Sequence, residues 1–367
     1  MAKIDAETLR QWLAEGKAVT VLDVRSAEDR ALWSIPGSVH VDAYSALQDG
    51  RSHALDQVAI PSDRPIVTVC NRGKVSQIAA DVLATKGANV LSLDGGMQAW
   101  SLAWNIADVP ISLPGPQVIQ VRRTGKGCLS YILGSGDSAA IIDASVDPRV
   151  YTQLAEHRGW RIRHVLDTHI HADHISRSRA LAQITGATLR LPAGQRVHFD
   201  FAAVSDGDAI EIGSARLAAI RTPGHTAEST CYWLNDACLF TGDTLFLAAF
   251  GRPDLHADKR EARERARLLF ASLSRLRTWP SDLLVLPGHT SEPVAFDGVP
   301  LTSGLGQVFS RLGDWLVSED VFTDRVLARL PATPPNYQRI VEINEHGTGA
   351  GVDAAELEAG ANRCAVG

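Results

Sequence analysis

At 367 residues the chain is too long for one typical hydrophobic core, so two folded units are expected. Its 45% hydrophobic and 21% charged content is that of an ordinary globular protein and excludes a disordered or fibrous chain. A net charge of −6 with no basic run or basic helical stripe argues against nucleic acid or an anionic membrane as partner. The opening Met1-Ala2-Lys3-Ile4-Asp5-Ala6-Glu7 lacks the charged-then-apolar pattern of a secretory signal, and no window has the apolar length to span a bilayer. A cytoplasmic location is therefore expected. The cysteines, Cys70, Cys128, Cys231, Cys238 and Cys364, are odd in number and follow no disulfide or metal-ligand spacing, so reduced and mostly packing thiols are expected.

In chain order, short apolar runs at 18–24, 65–70 and 90–93 read as strands. Between the last two, Val75, Ile78, Ala79, Val82 and Leu83 recur with helical spacing, and Gly87 stands where a helix end favours a left-handed residue. This alternation predicts an α/β unit with a mostly parallel sheet over residues 1–108. The Pro-rich stretch 109–117 reads as a linker. A second unit, 118–300, is strand-rich, with strands at 128–133, 139–142, 163–166, 209–212, 215–220, 230–234, 238–240 and 283–286 and helices at 175–184 and 259–276. Sheets packed together and flanked by helices are expected. Residues 301–367 carry two helical patterns, a Pro-rich stretch and a polar tail, expected to pack on the second unit.

Cys70 closes an apolar strand, and Asn71-Arg72-Gly73-Lys74-Val75-Ser76 runs from it straight into the amphipathic helix. Backbone N–H groups, a helix N-terminus and the charges of Arg72 and Lys74 would favour a thiolate there. A lone cysteine at a strand end is also commonly a small buried hydrophobe, and the loop alone leaves both readings open. Around it, Leu22-Asp23-Val24-Arg25, Ile35-Pro36-Gly37-Ser38-Val39-His40-Val41 and Leu93-Asp94-Gly95-Gly96-Met97-Gln98-Ala99-Trp100 resemble the successive signatures of the rhodanese family, over about residues 4–104. The resemblance implies that Cys70 carries sulfane sulfur as a persulfide on the loop of Arg72, Gly73 and Lys74, taking it from a sulfane-sulfur donor and passing it to a thiol, cyanide or sulfite. Two positions depart from the family pattern: Val75, where the loop often has arginine, and Trp33-Ser34, where Gly-His is usual.

Thr168-His169-Ile170-His171-Ala172-Asp173-His174 follows a predicted strand and precedes a predicted helix. Four metal-ligating side chains within six residues resist a packing explanation, because each buried polar group would need its own partner. Further candidates stand at the ends of apolar runs: His225 in Pro223-Gly224-His225-Thr226, Asp243 in Thr241-Gly242-Asp243-Thr244, and His289 in Pro287-Gly288-His289. The set resembles the metallo-β-lactamase superfamily, which implies an αββα sandwich with metal at one sheet edge. Gly251-Arg252-Pro253-Asp254-Leu255 resembles the persulfide dioxygenase branch. So do Pro334-Pro335-Asn336-Tyr337-Gln338-Arg339-Ile340, Glu342-Ile343-Asn344 and Gly360-Ala361-Asn362-Arg363-Cys364.

That branch implies one Fe(II) per chain on His169, His225 and Asp243, a face that leaves positions open for O₂ and a small-molecule thiol persulfide such as glutathione persulfide, which is oxidised to sulfite. His171, Asp173, His174 and His289 would then lie around the ligands. Arg252 and Asp254 would form a supporting ion pair, or a surface pair contributing little. The competing reading is a glyoxalase II-like thioester hydrolase, in which all seven histidines and aspartates hold two zinc ions. A third, a sulfur carrier with a purely structural metal, fits less well, since structural zinc sites are closed and often cysteine-rich. A homodimer is among the assemblies the chain could form.

Overall fold

The computed structural model describes residues 2–194, 196–360 and 362–367. The N-terminal sheet has β1 (Lys3–Ile4), β2 (Thr20–Asp23), β3 (Val39–His40), β4 (Ile66–Val69) and β5 (Val90–Leu93) in the order β1-β5-β4-β2-β3, every pairing parallel. Helices Ala6–Ala14 and Lys74–Thr85 are among those that cover it; of the predicted apolar stripe Val75, Ala79 and Leu83 are buried and Val82 is half-buried, whereas Ile78 is exposed and Ala80 takes a buried place instead. This is the expected rhodanese-like α/β domain.

The second domain is a sandwich. One sheet runs in chain order from its far edge, β6 (Asn105–Val109), β7 (Gln117–Arg122), β8 (Leu129–Ser135), β9 (Ser138–Ile142), β10 (Arg161–Leu166), β11 (Thr188–Pro192) and β12 (Ala202–Val204). The other contains β13 (Ala209–Ile212), β14 (Ala215–Arg221), β15 (Thr230–Leu234) and β16 (Cys238–Gly242). After β17 (Phe250–Gly251), which lies outside it, the second sheet is completed by β18 (Leu284–Pro287) and β19 (Ser303–Gly304). Leu129, Tyr131, Leu133 and Ile142 of the first sheet interleave with Ile212, Leu217, Tyr232 and Phe240 of the second. Helices Pro148–His157 and Ser178–Thr185 close one outer face, and helices Lys259–Leu276, Leu305–Leu312 and Glu319–Ala328 the other. The αββα expectation holds.

Three expected boundaries need correction. The strand β6 pairs antiparallel with β7, so residues 105–108 belong to the first sheet of the sandwich, and the proline stretch is the connection of a hairpin instead of a linker between domains. The helix expected at 175–184 starts at Ser178; the Ile175 carbonyl, which would open an earlier turn, accepts instead from the Arg177 guanidinium at 2.6 Å. The tail is also more ordered than its composition promised. It holds helices Tyr337–His346 and Ala354–Glu358 and a last strand, β20 (Ala365–Val366), antiparallel to β17. Ala361 of the tail motif lies outside the described residues. Among the described residues no helix is long and apolar enough to cross a membrane.

The two domains meet through specific contacts. Trp33 is buried and donates its indole N–H to the Thr124 carbonyl at 3.0 Å, and the Trp100 and Phe296 rings pack 6.2 Å apart. Gly125 sits so close to the helix Gly96–Trp100 that a Cβ would fall 1.9 Å from the Trp100 carbonyl oxygen.

Candidate active sites

In the first domain the chain leaves β4 at Cys70 and re-enters helix at Lys74. Gly73 makes that turn with φ +84°, and its N–H donates to the Cys70 sulfur at 3.2 Å. Gly96 has to be glycine, since a Cβ there would lie 2.2 Å from the Cys70 carbonyl oxygen, which accepts from the Met97 N–H. Asn71 donates to Asp29 at 2.7 Å. Behind the loop, the buried Arg25–Asp23 ion pair at 2.7 Å accounts for the Leu-Asp-Val-Arg motif, and Arg25 also donates to the Trp33 carbonyl. Cys70 is 2% exposed, whereas Arg72 and Lys74 are on the surface. A cleft of about 240 Å³ opens against this loop.

In the second domain β10 delivers the histidine loop. Asp143, at the end of β9 with φ +56°, accepts from the backbone N–H and hydroxyl of Thr168, and the Thr168 hydroxyl contacts His169 Nδ1 at 2.9 Å. His169 Nε2 is thereby turned toward Asp243 Oδ2, 4.0 Å away. His225 donates from Nδ1 to the Arg252 carbonyl at 2.8 Å, which leaves its Nε2 3.7 Å from the same oxygen. His169, His225 and Asp243 thus form one buried group whose ligand atoms all lie within 4.8 Å of one another. Two of those atoms, His169 Nε2 and Asp243 Oδ2, have no hydrogen-bond partner. A metal ion between them would satisfy both, so the residues present fit the expected cofactor.

The remaining candidates fall into two further buried groups with metal-ligand spacing, Asp143 with Asp167 and His171, and Cys128 with Asp173, His174 and His289. His171 groups with Asp143 and Asp167, its Nε2 3.2 Å from Asp143 Oδ1, while its Nδ1 is unpartnered. Asp173 is surrounded: His174 Nδ1 at 3.0 Å, His289 Nε2 at 2.8 Å, Asn362 at 3.0 Å and the Cys128 thiol at 3.3 Å. His289 Nδ1 donates to Asp243 Oδ1 at 2.5 Å and so holds the carboxylate with Oδ2 facing the two histidines. Arg252 and Asp254 form a two-point ion pair at 2.7 and 2.8 Å, with Arg252 1% exposed, which removes the surface-pair reading.

The electrostatics agree with metal binding. Burial, reinforced by His171, pushes His169 well below the ordinary histidine value, and burial lowers His225 despite Asp243. Burial would raise Asp243, but His289 and the other histidines outweigh it and keep it below the usual carboxylate range. Neutral imidazoles beside a carboxylate anion are the protonation states a metal requires.

Several residues at the site escaped the sequence reading. Cys128, Asp143 and Asp167 gave only weak signals, as a strand-flanking cysteine and strand-end aspartates. Asn344 donates to the carbonyls of His171 and His174, and Glu358 accepts from the Ile175 N–H; both lie on the tail, which the motif resemblance flagged without showing its contacts. A cleft of about 360 Å³ lies along the histidine loop, with His169, His171, Arg177 and Arg179 in its lining.

Residues 5–103 match the rhodanese-like domain family, and residues 123–289 match the metallo-beta-lactamase superfamily. The hydroxyacylglutathione hydrolase of Methylococcus capsulatus is 36% identical over 159 residues, 42% of this chain and 58% of that protein. That of Methylobacterium sp. is 34% identical over 180 residues, 48% of this chain and 67% of that protein. The chain spans less than two thirds of the length of several hydrolases it matches, 58% and 57% in two of them. Among solved structures, a metallo-beta-lactamase from Staphylococcus aureus superposes with a TM-score of 0.57 at 27% identity, covering 64% of this chain and 73% of that one. ETHE1 from Myxococcus xanthus superposes with a TM-score of 0.52 at 27% identity, covering 62% and 95%. The chain therefore joins a rhodanese-like domain to a domain that belongs to the metallo-beta-lactamase superfamily.

Proposed function

We propose that the second domain is a non-haem iron persulfide dioxygenase, holding one Fe(II) on His169, His225 and Asp243, and that the first supplies sulfane-sulfur transfer at Cys70. The observation that carries this reading is the asymmetry of the ligand atoms. Asp243 Oδ2 faces His169 and His225 with no hydrogen bond of its own, whereas Asp173, which a second metal would need, already accepts from His174, Asn362 and Cys128, even though His174 Nε2 and His289 Nε2 beside it are unpartnered. The overall reaction balances as RSSH + O₂ + H₂O → RSH + SO₃²⁻ + 2H⁺. Bound iron would supply the redox chemistry that lets O₂ react with the outer sulfur. The chain's own residues orient the three side chains: Thr168 fixes the His169 ring, the Arg252 carbonyl fixes His225, and His289 fixes Asp243. Arg179, which is in no ion pair among the described residues, gives the adjoining cleft a positive group suited to a persulfide anion, while Arg177 in the same lining is paired with Glu358.

A hydroxyacylglutathione hydrolase-like thioester hydrolase with two zinc ions is the second reading. Three observations favour it: the names of the curated relatives, the unpartnered Nδ1 of His171, which could join the first metal, and the second buried group of Cys128, Asp173, His174 and His289, in which His174 Nε2 and His289 Nε2 have no hydrogen-bond partner. The readings separate on one pair of variants. Under the iron reading His169→Ala loses most of the metal and nearly all persulfide-dependent O₂ uptake. His171→Ala keeps part of the metal and loses about 10 to 100-fold in activity, as expected for a residue around the ligands. Equal metal loss in both variants, or zinc-dependent thioester hydrolysis without O₂ uptake by the parent, would establish the hydrolase instead.

A further inference from the structure

The cleft at the Cys70 loop is built from both halves of the molecule. Its rhodanese side contributes Asn71, Arg72 and Trp33, and its other side Gly125, Glu356 and Gly360. Arg72 and Glu356 are both exposed at its mouth, one from each domain, and among the described residues neither side chain is in an ion pair. Glu356 does not hang on a loose tail. Two residues further on, Glu358 is buried, with Arg123 at 2.6 Å and Arg177 at 3.1 Å from its carboxylate and Lys126 donating to its carbonyl at 2.7 Å. The helix Ala354–Glu358 is therefore pinned beside the cleft.

The geometry points to this cleft as the binding site for the thiol that receives sulfur from Cys70, a site that is complete only when the second domain and its tail are in place. This rests on the sulfur-transfer reading of Cys70. With Arg72 on one side and Glu356 on the other, the acceptor that fits is a small thiol carrying both a carboxylate and an ammonium group, such as a short peptide thiol. At about 240 Å³ the cleft is of a size for such a small molecule. In the transfer step the acceptor thiolate attacks the outer sulfur of the Cys70 persulfide. A new S–S bond forms to the acceptor, the bond to Cys70 Sγ breaks, and the Cys70 thiolate leaves with the electron pair, so that Cys–S–SH + RS⁻ gives Cys–S⁻ + RSSH. The product is the persulfide class that the second domain is proposed to oxidise.

The test is thiosulfate sulfurtransferase kinetics on the full-length protein with three acceptors: glutathione, N-acetylcysteine and cyanide. Glu356→Gln is expected to raise the KM for glutathione about three- to five-fold, the size of one partly exposed ion pair, with kcat within about two-fold. N-acetylcysteine, which lacks the ammonium, and cyanide should show no change in KM. Arg72→Gln, on the persulfide loop itself, should raise the KM for both carboxylate-bearing thiols. An unchanged glutathione KM in Glu356→Gln, or an equal rise for all three acceptors, would overturn the proposal. If the parent transfers sulfur to no acceptor, or Cys70→Ser retains full transfer, the role of Cys70 itself fails, and the acceptor site falls with it.

Discussion

Gly251 shows how little room the metal group leaves. A Cβ at this position would lie 2.1 Å from the Asp243 carbonyl oxygen and 2.9 Å from His225 Cβ, so an alanine must displace the backbone of one ligand and the side chain of another. Gly251→Ala is expected to fold, since the change is one methyl, but to lose most of its bound metal. Metal analysis beside a far-ultraviolet circular dichroism spectrum checks this, and full metal occupancy would show that the ligands tolerate the shift. The candidate ligands were legible at this scale because histidine and aspartate at strand ends are chemically conspicuous. Cys128 was not, since its 3.3 Å approach to Asp173 depends on the bridge between residues 128 and 289, which are distant in sequence.

The C-terminal segment is an element whose composition disguises its work. From Asn344 to Val366 it staples the histidine loop, contacts Asp173 through Asn362 and pairs with β17 beside Arg252. Its buried anchor is Glu358. Burial would raise the carboxyl, but Arg123 and Arg177 hold it below its ordinary value. Glu358→Ala leaves Arg123 buried without its counter-charge and should cost about 3–5 kcal/mol, measured by denaturant unfolding. The sign of the pH dependence follows from the depressed folded-state value. The contribution of Glu358 is fully present above about pH 4.5, its ordinary value, and is lost as the pH falls through the folded one. Glu358→Gln should therefore flatten the loss of stability on acidification; an acid profile as steep as the parent's would assign that loss to other carboxylates.

At the scale of the whole molecule, two sites in separate domains should fail separately. Cys70→Ser is expected to abolish thiosulfate sulfurtransferase activity while leaving O₂ uptake with supplied glutathione persulfide largely intact; a parallel loss of O₂ uptake would mean that the domains act as one catalytic unit. The sequence by itself determined what local chemistry and periodicity can encode: two domains, the parallel sheet and the sandwich, the Cys70 loop, and the histidine and aspartate set. Hydrophobic spacing and turn residues act over a few positions, so they survive in the linear order. Only the tertiary structure decided which of those candidate ligands converge, that the proline stretch is a hairpin inside the first sheet of the sandwich, and that Trp33, a departure from the rhodanese pattern, serves as a contact between the domains. Each of these depends on residues far apart in the chain meeting at hydrogen-bond distance, and no local pattern records which distant partner a buried polar group will find.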